Sequence, residues 1–92
     1  HERCGAVKAA MLGDEVPGQI GSVIEAIAPA VTEYQGQQGD PVATEATTKS
    51  NIKYQMEQLM ASPVISELVE ANKLMVVGGY YDLDAGTVTM VS

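Results

Sequence analysis

The one histidine and the one cysteine of this 92-residue chain stand three positions apart, as His1 and Cys4 of the opening stretch HERCGAVKAA. Imidazole and thiolate are donors that zinc selects, in near-tetrahedral geometry. An H-x-x-C pair reaches one ion if the chain bends between the two residues. A strand ending at His1 and a helix starting near Cys4 would supply that bend, with the N–H groups from Gly5 and Ala6 onward turned toward a thiolate. Two protein donors are too few for a tight site, so zinc bound here requires ligands from outside this stretch. The spacing alone is common, and the competing reading is an N-terminal tail with a buried free cysteine.

Other candidate chemistry is weaker. Asp82 and Asp84 are two apart and share a face if extended, but beside Asp84-Ala85-Gly86 they read first as turn residues. The stretch GGYY at 78–81 is either a close-approach or binding element or a strand end that needs small residues for packing. Met11, Met56, Met60, Met75 and Met90 are scattered and read as core filler rather than a cofactor box. No P-loop, G-x-G-x-x-G, G-x-S-x-G or basic patch is present.

The elements that must position the pair follow from periodicity and punctuation. Helix formers run from Cys4 to Leu12, with Gly13 as a C-terminal stop. Asp14–Gly18 is turn chemistry. Ile20, Val23, Ile24, Ile27 and Val31 draw one apolar stripe, predicting a helix from about Gln19 to Val31 with a kink or early stop at Pro29. Tyr34–Pro41 (YQGQQGDP) is the clearest loop. A third helix is expected from about Val42 to Met60, polar and Thr-rich in its first half, with Ile52, Met56, Leu59 and Met60 on one side. Ser62–Pro63 then restarts the chain as N-cap and first helical residue. The short helix after it should bury Val64, Ile65, Leu68 and Val69 and end near Asn72. Residues 74–83 (LMVVGGYYDL) read as a buried strand, paired in a hairpin with the β-branched stretch Thr87–Val91. Two strands make too small a sheet to stand alone, so residues 74–77 call for neighbouring strands.

Composition bounds the class. A hydrophobic content of 46% supports a core, but with no Trp and no Phe that core must be aliphatic. The net charge of −7 argues against nucleic acid or an anionic membrane as the main partner. No apolar run approaches the roughly 20 residues of a membrane span. A single cysteine forms no internal disulfide, so a reducing, cytoplasmic setting is expected, with an organelle or microcompartment also open. Length, thin aromatic supply and the unpartnered strand together suggest part of a larger unit.

HERCGAVKAA resembles the H-x-x-C-G-A segment of β-class carbonic anhydrases. Two later stretches resemble that family in the same order. SNIKYQMEQLMASPVISELVEANKL matches its helix pair that begins at an Asn and continues through a Ser-Pro break. MVVGGYYDLDAGTVTMV matches its last parallel strand, its G-x-Y-Y-D-x-x-x-G turn and its closing antiparallel strand. The similarity covers nearly all of the chain, the YQGQQGDP loop least. It implies that residues 1–92 are the C-terminal portion of a single β-carbonic anhydrase domain, an α/β fold with a mostly parallel sheet, flanking helices and an antiparallel edge strand. It implies one Zn2+ per active site, with His1 and Cys4 as two of the three protein ligands. The third ligand, a Cys, and an Asp–Arg pair belong to an upstream C-x-D-S-R segment that this sequence lacks. It further implies that Gly5 lines the active site beside the metal, where a larger side chain would crowd CO2. Tyr81 and Asp82 fall in the Y-D turn, with a structural or interface role.

The implied activity is reversible hydration of carbon dioxide to bicarbonate, in a homo-oligomer that is a dimer or larger and includes the upstream part of the same protein. The isolated 92 residues should then be inactive. The competing expectation is a catalytically inactive carbonic-anhydrase-like structural or assembly subunit. A different zinc lyase or hydrolase on the same fold is a third.

Overall fold

The structure, a computed structural model, describes residues 1–91, so Ser92 of the expected 1–92 portion lies outside the described residues. Four α-helices precede a two-stranded antiparallel sheet: α1 (Gly5–Leu12), α2 (Ile20–Ile27), α3 (Pro41–Met60), α4 (Pro63–Glu70), β1 (Gly78–Tyr81) and β2 (Val88–Val91). This mixed architecture is compatible with an α/β fold, and the strand pairing among the described residues is antiparallel.

Helix ends follow the punctuation. Gly13 closes α1 in the left-handed conformation (φ 83°), its N–H bonding the Ala9 carbonyl. Pro29 ends the α-helical hydrogen bonding of α2, and Ala28–Ala30 continue as a 3-10 turn. Asp40 caps α3 by accepting the Val42 N–H at 2.9 Å, with Pro41 at the first helical position. Ser62 and Pro63 open α4 as expected, although the Ser62 side chain makes no cap bond. The 34–41 loop is more than a connection. Gln35 Nε2 donates to the Met11 carbonyl at 2.6 Å and the Gly36 N–H to the same oxygen at 2.8 Å, so the loop satisfies the C-terminal end of α1.

The core gathers Val7, Ala10, Met11, Ile27, Val31 and Ala43, with Cys4, Ile24 and Tyr34 packed at its margin. It lies between α1, α2 and the start of α3. The Thr-rich half of α3, expected to be its polar half, is instead the buried one: Thr44, Thr47 and Thr48 are all buried. Their hydroxyls donate to the carbonyls four residues back, Asp40, Ala43 and Thr44, at 3.0, 2.7 and 2.9 Å. A threonine whose hydroxyl is satisfied by its own helix presents a methyl to the core at little desolvation cost.

The second half of the chain departs from expectation in the opposite sense. Val64 and Leu68 of α4 are exposed rather than buried, and Ile65 and Val69 are only half-buried. The strand begins at Gly78, not Leu74, and Met75 is 79% exposed. A strand needs neighbours on its edges and faces, and among the described residues β1 pairs with β2 and packs on α3. The close approach to α3 explains the first glycine of GGYY. A Cβ at Gly78 would stand 2.6 Å from Ile52 Cγ2 and 2.6 Å from Met56 Sδ. Packing is therefore what the small residue serves there.

Candidate metal centre

His1 and Cys4 flank a two-residue turn at the N-terminal end of α1. The bend occurs at Arg3, whose φ of 52° lies in the left-handed region that non-glycine residues seldom adopt. Cys4 is the N-cap residue of α1, extended in backbone (φ −65°, ψ 119°), and its carbonyl accepts the Lys8 N–H at 3.1 Å. The thiol is half-buried against the core and is not in a disulfide. His1 is exposed. Its Nδ1 donates to the Glu2 carbonyl at 2.9 Å, which leaves Nε2 as the nitrogen with a free lone pair. Metal-bound histidines commonly fix their tautomer through such a bond from the other ring nitrogen. The donors present, one imidazole nitrogen and one sulfur, suit zinc in kind and fall short of it in number. Gly5 is the first residue of α1, exposed, with no other atom within 4 Å of where a Cβ would be.

The turn between the two donors is attached to the far end of the chain. The Glu2 N–H donates to the Tyr81 carbonyl at 2.9 Å. Glu2 Oε1 accepts the N–H of Leu83 at 2.7 Å and of Asp84 at 3.2 Å. Arg3 forms a two-pronged ion pair with Asp84, Nη1 to Oδ2 at 3.1 Å and Nη2 to Oδ1 at 3.2 Å. Sequence reasoning missed these partners because they are about eighty positions away and no local periodicity links them.

The hairpin turn that receives these contacts is organised by Asp82. Its Oδ1 accepts the N–H of Asp84 at 2.9 Å and of Ala85 at 3.0 Å, and Gly86 (φ 70°) returns its N–H to the Asp82 carbonyl. The Ala85 N–H is the main reason the Asp82 carboxyl is held below its ordinary range, with the Asp84 N–H, Glu2 and Arg3 adding to it against some desolvation. The Asp82/Asp84 pair thus does turn chemistry, as its sequence context suggests. Glu2, Asp82 and Asp84 bring carboxylate oxygens within 4.8 Å of one another. Backbone N–H groups and the Arg3 guanidinium already answer that charge.

A cleft of about 300 Å³ opens beside this turn, lined by Arg3, Lys8, Gln38, Thr44, Glu45 and Tyr80 among others. Tyr80 is buried on the inner side of β1, and the Lys49 ammonium lies 5.1 Å from its ring centroid. Burial pushes the Tyr80 phenol above its ordinary pKa, and the Glu45 carboxylate adds to the effect. Neither His1 nor Cys4 lines the cleft.

The imidazole of His1 and the thiol of Cys4 stand on either side of the left-handed bend at the N-terminus of α1, and both are donor types that zinc accepts. The family model for carbonic anhydrase matches residues 1–88, and the chain belongs to the β-class carbonic anhydrase family. No curated protein and no solved structure matches it. Among the described residues no helix is long and apolar enough to cross a membrane.

Proposed function

We propose that residues 1–92 are the C-terminal portion of a β-carbonic anhydrase domain and that the complete protein reversibly hydrates carbon dioxide to bicarbonate. The observation that supports this reading is the family match over residues 1–88, a span that takes in His1, Cys4 and Gly5. His1 would offer Nε2 and Cys4 its sulfur to Zn2+, with a further thiolate from upstream. Bound zinc supplies the Lewis acidity that turns water into a nucleophile near neutral pH. Gly5 leaves open the space a small apolar substrate would occupy. A cytoplasmic, reducing environment keeps Cys4 available as a ligand.

The parallel sheet belongs to the same proposal. In the β1–β2 ladder Asp82 bonds to Thr87, so by the alternation of antiparallel pairs the Tyr81 carbonyl faces away from β2. That carbonyl accepts the Glu2 N–H. A strand leading into His1 would continue along this free edge of β1 and extend the sheet. It would also begin to cover Met75 and Val77, which are exposed here.

The second reading, an inactive carbonic-anhydrase-like assembly subunit, draws on the exposed apolar side chains Val64, Leu68, Met75, Val88 and Met90, which offer surface for association. The same surface serves a homo-oligomeric enzyme. Zinc analysis and stopped-flow CO2 hydration on the complete protein separate the two. The enzyme reading expects about one zinc per chain, fast hydration, and loss of both in Cys4→Ser, because oxygen is a poor substitute for thiolate. Full zinc occupancy in Cys4→Ser would remove the ligand assignment. Zinc without hydration at any pH tested would leave the assembly reading.

A further inference from the structure

The two residues between the candidate ligands are committed to the hairpin turn rather than to the metal side of the bend. Glu2 engages through backbone and side chain together: its N–H on Tyr81, its Oε1 on the N–H groups of Leu83 and Asp84, and its carbonyl on His1 Nδ1. A continuous chain of hydrogen bonds therefore runs from the turn through Glu2 to the imidazole. Arg3 adds the ion pair with Asp84 and holds the left-handed bend that sets the direction of Cys4.

We propose that Glu2 is a positioning residue for His1 and Cys4, acting through the 82–86 turn. The proposal rests on the zinc reading above and deepens it. Of the two tethers, Glu2 carries the larger share. Its side chain is only 18% exposed and meets fixed backbone donors, whereas the Arg3 and Asp84 side chains are 54% and 76% exposed, so solvent and salt weaken their attraction. Asp82 preorganises the receiving N–H groups and acts one step further out.

The test is zinc affinity of the complete protein, measured by chelator competition, together with the thiolate-to-cobalt charge-transfer band of the Co2+-substituted form. Glu2→Ala should weaken zinc binding roughly 10- to 100-fold, the usual effect of losing a group that orients a ligand. It should also shift the cobalt spectrum. Glu2→Gln keeps an oxygen acceptor for the Leu83 N–H and should recover most of the affinity. Asp84→Asn should cost no more than about fivefold, the range of an exposed ion pair. Leu83→Pro removes the 2.7 Å donor to Glu2 without touching the ligand segment. It decides the matter if Glu2→Ala fails to fold, and it should weaken zinc in the same direction. If Glu2→Ala, or Leu83→Pro in its place, binds zinc within threefold of the unsubstituted protein and leaves the cobalt band unchanged, the positioning role is refuted while the zinc site stands. If the unsubstituted protein binds no zinc, or Cys4→Ser retains it fully, the underlying reading fails and this one falls with it.

Discussion

Replacing Gly78 with alanine should destabilise the protein through one contact, between β1 and α3. The added Cβ would lie 2.6 Å from Ile52 Cγ2 and 2.6 Å from Met56 Sδ, and 3.4 Å from the Val91 carbonyl oxygen. The two close neighbours differ in how easily they yield. Met56 is unbranched and can swing its thioether aside. Ile52 is β-branched within a helix and has essentially one side-chain rotamer, so its methyl moves only if α3 and β1 separate. Overpacking of this kind costs about 1–3 kcal/mol. Alanine returns roughly 0.4–1 kcal/mol by restricting the unfolded chain, since Gly78 has no positive φ to lose. The net expectation is about 1–2 kcal/mol, read in urea as a midpoint lowered by roughly 0.3–2 M at unchanged slope. A double-mutant cycle with Ile52→Ala isolates the contact: in that background the Gly78→Ala penalty should fall to near zero, a coupling of about 1 kcal/mol or more. An unchanged midpoint for Gly78→Ala, or an equal penalty with and without the Ile52 side chain, would refute the packing account of Gly78.

Two shorter predictions concern the candidate site. Gly5→Ala meets open space at the first position of α1, so thermal unfolding should show stability unchanged or slightly raised; with zinc retained, CO2 hydration should fall if Gly5 lines the substrate space, and full activity would remove Gly5 from the site. Because the folded Asp82 carboxyl sits below its unfolded value, its contribution to the turn is complete above about pH 4 and is lost as pH falls through the lower folded pKa. The amide NMR signals of Ala85 and Asp84 should follow that titration, and signals that stay fixed while Asp82 protonates would contradict the assigned hydrogen bonds.

Much of the fold was legible because its signals are local. Gly13, Asp40–Pro41 and Ser62–Pro63 mark helix ends by backbone chemistry that operates wherever those residues occur. The helix beginning beside Cys4 could likewise be read from composition alone. Burial was harder to read. Hydropathy ranks Thr47 below Leu68, yet Thr47 is fully buried and Leu68 is 40% exposed. The difference is relational: Thr47 has its own helix to satisfy its hydroxyl and lies on the covered half of α3, while α4 meets α3 but leaves Val64 and Leu68 uncovered among the described residues. The metal pair was visible as two residue types at a spacing, and the resemblance gave that spacing its weight. The Glu2 and Arg3 contacts were not visible, because a carboxylate two residues from a cysteine carries no sign that its donors lie in a turn some eighty positions later.

The position of the ligand pair between two unlike halves of the chain has a further consequence. Cys4 also packs at the margin of a finished core, whereas His1 is anchored through Glu2 to a hairpin whose sheet has a free edge. An ion held by both side chains would therefore join a stable unit to a less supported one, and its binding energy would stabilise mainly the second. Chelation of zinc from the complete protein should accelerate amide exchange at Leu83, Asp84 and Glu2 by about tenfold for each 1.4 kcal/mol of lost local stability. Exchange within Lys8–Leu12 should change little, because that helix rests on contacts that owe nothing to the metal. Exchange that rises equally in both regions would mean that metal and core form one cooperative unit, and exchange unchanged at the hairpin would mean that the turn does not depend on the ligand segment it holds.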